Sequence, residues 1–257
     1  MCLIVLALHA HSDLPLILAA NRDEFHRRPT AAADFWDEAP ELLAGRDLQG
    51  GGTWLGVTRA GRWAAVTNVR NPRDMQPGRR SRGWLVRDFL LGESDPRDFL
   101  SGLAVEAEEF PGFNLLLGEG AAAWYFSNRD PQGTRRLAPG VYGLSNALLD
   151  TPWPKLRGAR TELAALLAAP GRPPAAAELF ALLGDESRPP DAELPETGVG
   201  LEWERTLAAR FIRGAEYGTR CSTLLRLDAA GGVDFRERSF FGAGAAWHER
   251  GFFWSRD

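Results

Sequence analysis

Short apolar segments arranged in pairs around tight polar turns constrain the fold of this chain more than any other feature. The first pair is Cys2–Leu8 and Leu16–Ala20, with Pro15 in the turn between them. Further pairs flank the turns at Arg59–Arg62 and Gly118–Gly120. Apolar runs of this length, bounded by turn residues, predict strands joined as antiparallel hairpins.

Segments with helical periodicity separate these hairpins into groups. The predicted helices are Ser81–Leu91, Pro96–Ala107, Pro154–Ala168 and Ala175–Leu183. The other predicted strands are Thr53–Thr58, Trp63–Asn68, Asn114–Leu117, Ala122–Ser127, Val141–Leu144, Ser222–Leu227, Val233–Phe240 and Gly251–Trp254. Residues 29–50 and 70–80 are predicted to be loops. Groups of hairpins and groups of helices, without regular strand–helix alternation, predict an α+β fold with a mostly antiparallel sheet.

The size and composition are those of an ordinary globular chain. It has 257 residues, of which 44% are hydrophobic and 25% charged, which favours one large domain or at most two. Residues 184–200 are the most linker-like stretch, but the strands that follow have few partners of their own. We therefore interpret residues 1–257 as one domain, with a loop or helix excursion around 184–200.

Several classes of partner and compartment are disfavoured. A net charge of −4 gives no basic face for nucleic acid. No apolar run reaches the roughly 18 residues of a membrane span. Two cysteines cannot build a disulfide scaffold, so we expect a cytoplasmic protein. Gly50–Gly52 lacks the residues of a phosphate loop, and His9 and His11 lack a third ligand, so neither a cofactor nor a metal is expected.

Cys2 is the most informative single residue. Removal of Met1 would place a thiol and a free α-amine on one residue, and the amine has a pKa near ~8, suited to act as the base for the thiol. The alternative is that Cys2 is a small buried side chain at the start of a strand.

The polar run Asn21-Arg22-Asp23-Glu24 follows the second predicted strand, and a hairpin would bring it beside Cys2. If the strand continued through it, Arg22 and Glu24 would share one face, and Asn21 and Asp23 the other. An arginine near Cys2 would favour the thiolate, and a carboxylate could orient the amine or thiol. The alternative is a salt-bridged turn at a strand end.

Three polar residues later in the chain are further candidates. Asn68 and Asn146 end predicted strands, where a carboxamide can donate to a developing oxyanion or simply cap a turn. Arg220 neighbours Cys221 just before a predicted strand, which makes it a candidate site residue. The alternative is that Arg220 is a surface cation at the start of that strand.

Together these segments resemble the NRDE, or transport-and-Golgi-organisation, family. The resemblance is carried by Met-Cys-Leu-Ile at the start, Ala-Asn-Arg-Asp-Glu-Phe at 20–25, Gly-Gly-Thr-Trp-Leu-Gly at 51–56, Thr-Asn-Val-Arg at 67–70, Leu-Ser-Asn at 144–146 and Tyr-Gly-Thr-Arg at 217–220. That family is similar to N-terminal nucleophile hydrolases of the choloylglycine hydrolase and penicillin V acylase type. The resemblance implies a four-layer αββα sandwich of two antiparallel sheets flanked by helices.

Carried over residue by residue, the resemblance implies a role for each candidate. Cys2 would be the nucleophile. Arg22 and Asp23 would support it, Asn68 would supply an oxyanion donor, Asn146 would position the amine or substrate, and Arg220 would stabilise the thiolate or bind an anionic group. The acylase pattern separates its arginine and aspartate by two residues, so Glu24 could take the aspartate place and Asn21 or Arg22 the arginine place.

The resemblance implies an amidohydrolase that cleaves a small C–N amide through a cysteine nucleophile. Its alternative is a non-catalytic carrier or chaperone for an apolar or anionic ligand such as haem or an acyl lipid. Trp54, Trp63, Trp84 and the C-terminal aromatic residues would then be candidate cavity walls, although core packing is the commoner use of such residues.

Overall fold

The computed structural model describes residues 2–74, 80–169, 172–241 and 246–256. The strands are β1 (Cys2–Leu8), β2 (Leu16–Phe25), β3 (Thr30–Trp36), β4 (Ala39–Asp47), β5 (Leu55–Thr58), β6 (Arg62–Asn68), β7 (Phe113–Glu119), β8 (Ala122–Ser127), β9 (Arg135–Arg136), β10 (Gly140–Leu144), β11 (Tyr217–Leu227), β12 (Gly232–Phe241) and β13 (Ala246–Ser255). The α-helices are α1 (Gly83–Leu91), α2 (Pro96–Glu106), α3 (Pro154–Ala168), α4 (Ala176–Leu183) and α5 (Leu201–Leu207). Within these ranges, no helix has the length and apolar character needed to cross a bilayer.

The strands form two antiparallel sheets. Sheet I has the order β10-β1-β2-β11-β12-β13, and sheet II runs from β3 to β9 in chain order. Sheet II therefore pairs strands that follow one another in the chain, and α1 and α2 lie in the connection between β6 and β7. Sheet I instead joins the N-terminal hairpin to strands from the last part of the chain, so its closure depends on long-range pairing.

Alternating side chains in these strands create three apolar layers. Ile4 and Leu6 of β1 pack between the sheets with Trp63 and Tyr125 of sheet II. Leu3, on the other face of β1, packs against α3 and α4. On the far side of sheet II, α1 and α2 cover a separate apolar layer. The arrangement confirms the predicted α+β fold, with the layers of an αββα sandwich.

The prediction of a loop over residues 29–50 is wrong. Most of that segment forms β3 and β4, which pair through two shifts in register. Such irregularities interrupt the alternation of apolar and polar residues that identifies a strand in a sequence. Burial stabilises the pair instead, since Trp36, Leu42 and Ala44 lie in the apolar layer under α1 and Leu43 lies between the two sheets.

Other elements are longer than the sequence pattern suggested. β2 continues beyond Ala20 to Phe25, so the run Asn21–Glu24 lies within a strand and does not follow it. β11 begins at Tyr217, ahead of the predicted start at Ser222. Helix α5 and the two-residue strand β9 were not predicted at all. The residues added to β2 are mostly polar and β9 is two arginines, so pairing with other strands, and not apolar alternation, determines their conformation.

Candidate active site

A cavity of about 370 Å³ opens where the two sheets meet the N-terminal end of β1. Sheet I contributes Cys2, Arg22 and Asp23 to its wall, and sheet II contributes Asn68. Four of the six residues expected at the site therefore line one cavity. Asn146 and Arg220 do not line it, although each contacts a segment that does.

The register of the first hairpin places Cys2 at this cavity. Cys2 is the first residue of β1 and lies opposite Arg22 of β2. Because side chains alternate along a strand, Cys2 shares the face of Ile4 and Leu6, which is directed toward sheet II. At the strand end, however, the apolar core stops and the cavity begins. The hydroxyl of Ser145 donates to the Cys2 carbonyl at 3.0 Å and fixes the main chain there.

The surroundings of Cys2 act on its thiol in opposing directions. Burial raises the pKa of the Cys2 thiol above its ordinary value. The charge of Arg22 and a hydrogen bond from the Asp23 backbone N–H lower that pKa. The resting thiol is therefore held in its protonated form, and a base must take the proton as the sulfur attacks.

Arg22 provides a positive charge on the cavity side of β2. Its guanidinium lies 4.3 Å from the ring centroid of Trp54 and donates to the Thr30 hydroxyl at 3.3 Å. The residue is only 6% exposed and makes no ion pair with any residue that the structure describes. Because its charge is not neutralised by a carboxylate, it is available to stabilise a thiolate or an anionic substrate group.

Asp23 and Asn21 are directed to the opposite face of β2, toward the helices. The Asp23 carboxylate accepts a hydrogen bond from the Thr219 hydroxyl at 2.7 Å, and its carbonyl accepts one from Tyr217 at 3.2 Å. Burial raises the pKa of the Asp23 carboxyl, and the positive charge of Lys155 opposes that rise. Asn21 donates to the carbonyls of Leu183 and Arg210, so it anchors the helical layer and is remote from the cavity.

Glu24 was the alternative candidate for the role assigned to Asp23. It lines the cavity, but its carboxylate accepts from the backbone N–H of Phe25 at 2.9 Å and lies 3.9 Å from Arg28. Asp23, by contrast, has its backbone N–H on the Cys2 sulfur. The contact to Cys2 comes from the Asp23 backbone, whereas the Asp23 carboxylate accepts from Thr219 on the other face of β2, so the choice between Asp23 and Glu24 stays a prediction.

Two carboxamides on different strands are held together at the cavity. The Asn146 amide group donates to the side-chain oxygen of Asn68 at 2.9 Å and to its carbonyl at 3.0 Å. This pair of bonds occupies the Asn68 oxygen and fixes the carboxamide plane. The Asn68 amide nitrogen, which donates to no residue that the structure describes, is left to donate to a ligand.

Arg220 occupies the bulge where β11 changes register against β2. Its guanidinium donates to the carbonyls of Phe25, Arg28 and His26, at 2.9, 3.1 and 3.3 Å. The structure therefore gives Arg220 contacts that shape the turn after β2. The role of an anion-binding residue at the cavity stays a prediction.

Several residues of the cavity wall were missed because they border the segment interpreted as a loop. Arg28 donates to Asp47 through two nitrogens, at 2.8 and 3.0 Å, and both residues line the cavity. Gly52 approaches Gly83 so closely that an added Cβ would lie 2.4 Å from its carbonyl group. An interpretation of residues 30–47 as strands would have indicated this wall.

The tryptophans considered as cavity walls divide between two uses. Trp54 lines the cavity beneath Arg22, whereas Trp63 is fully buried between the sheets. Trp84 donates to the Gly50 carbonyl at 2.7 Å and so holds the glycine run in place. In the described part of the chain, no group of three or more His, Cys, Asp and Glu residues is arranged to hold a metal ion.

Comparison with known sequences gives extended matches. A family model described as "Transport and Golgi organisation 2" matches residues 1–242. The Bos taurus Transport and Golgi organization protein 2 homolog is 41% identical over 243 residues, which cover 89% of this chain and 87% of the relative. The Homo sapiens homolog is 38% identical over 241 residues, covering 87% and 86%.

Comparison with solved structures gives matches of low sequence identity. A mutant conjugated bile acid hydrolase from Clostridium perfringens matches with a TM-score of 0.51 and 8% identity, covering 100% of this chain and 98% of the other. A Caenorhabditis elegans ortholog of N-acylethanolamine-hydrolyzing acid amidase matches with a TM-score of 0.46 and 11% identity, covering 87% and 92%. The first match shows that this chain shares the fold of that hydrolase.

Proposed function

This chain belongs to the Transport and Golgi organisation 2 family, and we propose that it hydrolyses a C–N amide bond of a small molecule with Cys2 as the nucleophile. The observation that carries the proposal is the position of Cys2. Its side chain lies in the wall of a cavity, opposite an arginine without a carboxylate partner and across from an oriented carboxamide. A nucleophile, a cation and an oxyanion donor around one space are the parts that acyl transfer requires.

Removal of Met1 is the activating step in this proposal. The freed α-amine of Cys2 takes the thiol proton, and the sulfur forms a bond to the amide carbon. The Asn68 amide nitrogen donates to the developing oxyanion, and Asn146 keeps Asn68 in that orientation. The α-ammonium returns the proton to the leaving nitrogen as the C–N bond breaks, and a thioester remains on Cys2.

Hydrolysis of the thioester repeats the same proton transfers. Water attacks the carbonyl carbon, the α-amine takes its proton, and the C–S bond breaks. The departing thiolate then recovers its proton from the α-ammonium, so the enzyme returns to its starting state. Asp23, with its backbone N–H on the Cys2 sulfur, positions the end of the strand through both steps.

The cavity favours a small, polar or anionic substrate. Its volume of about 370 Å³ is at the low end for ligand pockets. Arg22 contributes to its wall without an ion pair to any described residue, whereas Asp47 neutralises Arg28 there. The Arg22 guanidinium therefore favours an amide that carries a carboxylate or another anionic group close to the bond that is cleaved.

Mass spectrometry of the intact protein tests both the activation and the chemistry. The purified chain is expected to lack Met1, and brief incubation with a panel of chromogenic N-acyl anilides is expected to add one acyl group at Cys2. The Cys221→Ala variant serves as the matched control and should be acylated normally. Retention of Met1, or acylation that persists in a Cys2→Ala variant, would overturn the proposal.

A second candidate is a carrier that binds its ligand without turnover. The observation that favours it is the burial of Cys2, which raises the pKa of its thiol and weakens it as a nucleophile. Trp54 and the cavity arginines would then contact an apolar, anionic ligand such as haem or an acyl compound. A Soret band with added haem, or a melting shift that grows with free acyl ligand while no amide is cleaved, would support this candidate.

A further inference from the structure

The segment that follows β10 connects the two sheets beside Cys2. Residues 145–149, which we call the linking segment, leave sheet I at the strand that pairs with β1 and contact sheet II. Ser145 and Asn146 are each 1% exposed. The segment has no regular secondary structure, so it cannot pair its own backbone groups as a helix or a strand does. Because buried backbone groups need hydrogen-bond partners, other elements must supply them.

Sheet II and the turn after β6 supply partners for three successive carbonyls, those of residues 145, 146 and 147. In that order, the donors are the Thr67 hydroxyl at 2.7 Å, the Arg70 backbone N–H at 2.7 Å and the Asn114 carboxamide at 2.8 Å. The backbone N–H of Leu149 donates to the Tyr125 hydroxyl at 3.2 Å. The linking segment is thus fixed to sheet II along its length.

Asn114 lies at the centre of these contacts. It is paired with Thr67 across β6 and β7, and its amide group donates to the Thr67 hydroxyl at 3.0 Å as well as to the Ala147 carbonyl. Its side-chain oxygen accepts from the Tyr125 hydroxyl at 2.8 Å. Asn114 and Tyr125 are both fully buried. The carboxamide therefore uses both its amide protons and its oxygen, and it joins the groups that hold residues 145, 147 and 149.

The linking segment in turn holds two residues of the candidate site. The Ser145 hydroxyl donates to the Cys2 carbonyl. The Asn146 amide group donates to the side-chain oxygen and the carbonyl of Asn68. Asn114 itself does not line the cavity, so its influence on the site acts through this segment. A shift of the segment would move the support of Cys2 and that of Asn68 together.

We propose that Asn114 is a positioning residue of the candidate site, which fixes the linking segment against sheet II so that Asn146 keeps the Asn68 carboxamide in its orientation. Removal of the Asn114 carboxamide deprives the Ala147 carbonyl and the Tyr125 hydroxyl of a buried partner. The segment then shifts toward other donors, and Asn146 moves with it. The role in turnover rests on the proposed amide hydrolysis, but the placement of the linking segment does not.

The asparagine side chains report on this placement without any substrate. The chain has six asparagines, so isotopic labelling of asparagine alone in the full-length protein gives few side-chain amide NMR signals, and Asn146→Ala identifies the signal of Asn146. We expect Asn114→Ala to shift that signal, because the linking segment moves. Asn128→Ala is the matched control and should leave the signal unchanged, since the Asn128 amide donates to the Ala107 carbonyl, outside the linking segment. An Asn146 signal that Asn114→Ala does not move would overturn the proposal.

A double-mutant cycle separates positioning from general structural support. Asn114→Ala should lower kcat by about tenfold and leave KM within about twofold, because the proposed oxyanion donor is misplaced while the cavity keeps its shape. In the Asn68→Ala background the same substitution should lower kcat by less than about twofold, because the group that it positions is already absent. Equal losses in the two backgrounds would show a structural role and overturn the proposal.

Tyr125→Phe provides a milder variant if Asn114→Ala does not fold. It removes the hydroxyl that contacts Asn114 and Leu149 and keeps the ring in the apolar layer between the sheets. The same shift of the Asn146 signal is expected, and an unchanged signal would overturn the proposal. If no amide of the panel is cleaved, the proposed hydrolysis fails, and the NMR comparison alone decides the placement of the linking segment.

Discussion

Cys2 and Cys221 lie on the two strands that flank β2, and each is paired with Arg22. Paired residues of an antiparallel ladder project to the same face, so both side chains are directed toward sheet II. Cys2 is partly buried and lines the cavity, whereas Cys221 is only 3% exposed. Two thiols with the same cross-strand neighbour thus differ because one lies at a strand end and the other within a strand.

The carboxyl groups near the two thiols also differ in their surroundings. Glu237, near Cys221, accepts from the Ala33 backbone at 2.8 Å and from the Ser239 hydroxyl at 3.2 Å, both uncharged donors. Burial raises the pKa of Glu237, and burial raises that of Asp23 as well. Only Asp23 has cations, Lys155 and Arg22, that oppose the rise. The comparison shows that cations oppose the rise in the pKa of Asp23, whereas Glu237 is hydrogen-bonded by uncharged donors.

The largest expected effect comes from exchanging the two cysteines for alanine in turn. Cys2→Ala should lower amide turnover by about a thousandfold or more, because the covalent step is lost. Cys221→Ala should retain turnover within about twofold, since its thiol does not reach the cavity. Hydrolysis rates on the amide panel measure both. Equal losses in the two variants would remove the distinction between the thiols.

A smaller loss of amide turnover is expected when the proposed oxyanion donor, Asn68, is removed. Asn68→Ala should lower kcat by about 100- to 1,000-fold, equivalent to about 2.7–4 kcal/mol. Asn128→Ala is the matched control, because the Asn128 amide donates to the Ala107 carbonyl at 2.9 Å and the residue does not line the cavity. The control should lower the melting temperature while the folded protein keeps its kcat. Unchanged kcat in Asn68→Ala would remove the assigned role.

Alkylation of the native protein compares the two thiols without any substrate. Iodoacetamide should modify Cys2 about a hundredfold faster than Cys221 near neutral pH, because Cys221 is buried and both burial and Glu237 raise its pKa. In denaturant the two rates should converge, which serves as the internal control. Peptide mass spectrometry over time gives both rates, and a faster Cys221 in the native protein would reverse the comparison.

The smallest effect concerns stability and pH. Because burial raises the pKa of Glu237, its contribution to stability is complete below the ordinary glutamate pKa and is lost as pH rises through the folded value. Glu237→Gln should therefore become more stable relative to the wild type as pH rises from 4 to 8. Asp23→Asn should gain less stability over the same pH range, since cations stabilise the charged form of the Asp23 carboxyl. Denaturant unfolding of each variant at pH 4 and pH 8 measures these changes in the free energy of unfolding. Equal gains in stability for the two variants would contradict the difference between Glu237 and Asp23.

Local features of the sequence predicted much of the site but little of its surroundings. The hairpin β1–β2 is set by one turn, so Cys2 and Arg22 could be placed side by side from the chain alone. The bond between Asn146 and Asn68 joins residues 78 positions apart, and no local pattern records that pairing. Strands β3 and β4 were missed for a related reason, because irregular register hides their alternation.

The sequence by itself determined the order of hairpins and helices, and it also determined that a thiol begins the first strand. Those properties follow from apolar periodicity and turn residues, which act over a few neighbouring positions. Only the tertiary structure decided that Arg220 holds the turn after β2 and that Asn146 orients the carboxamide of Asn68. These placements depend on pairing and burial between segments far apart in the chain. Such contacts stabilise the protein only after the two sheets and the helices have packed together.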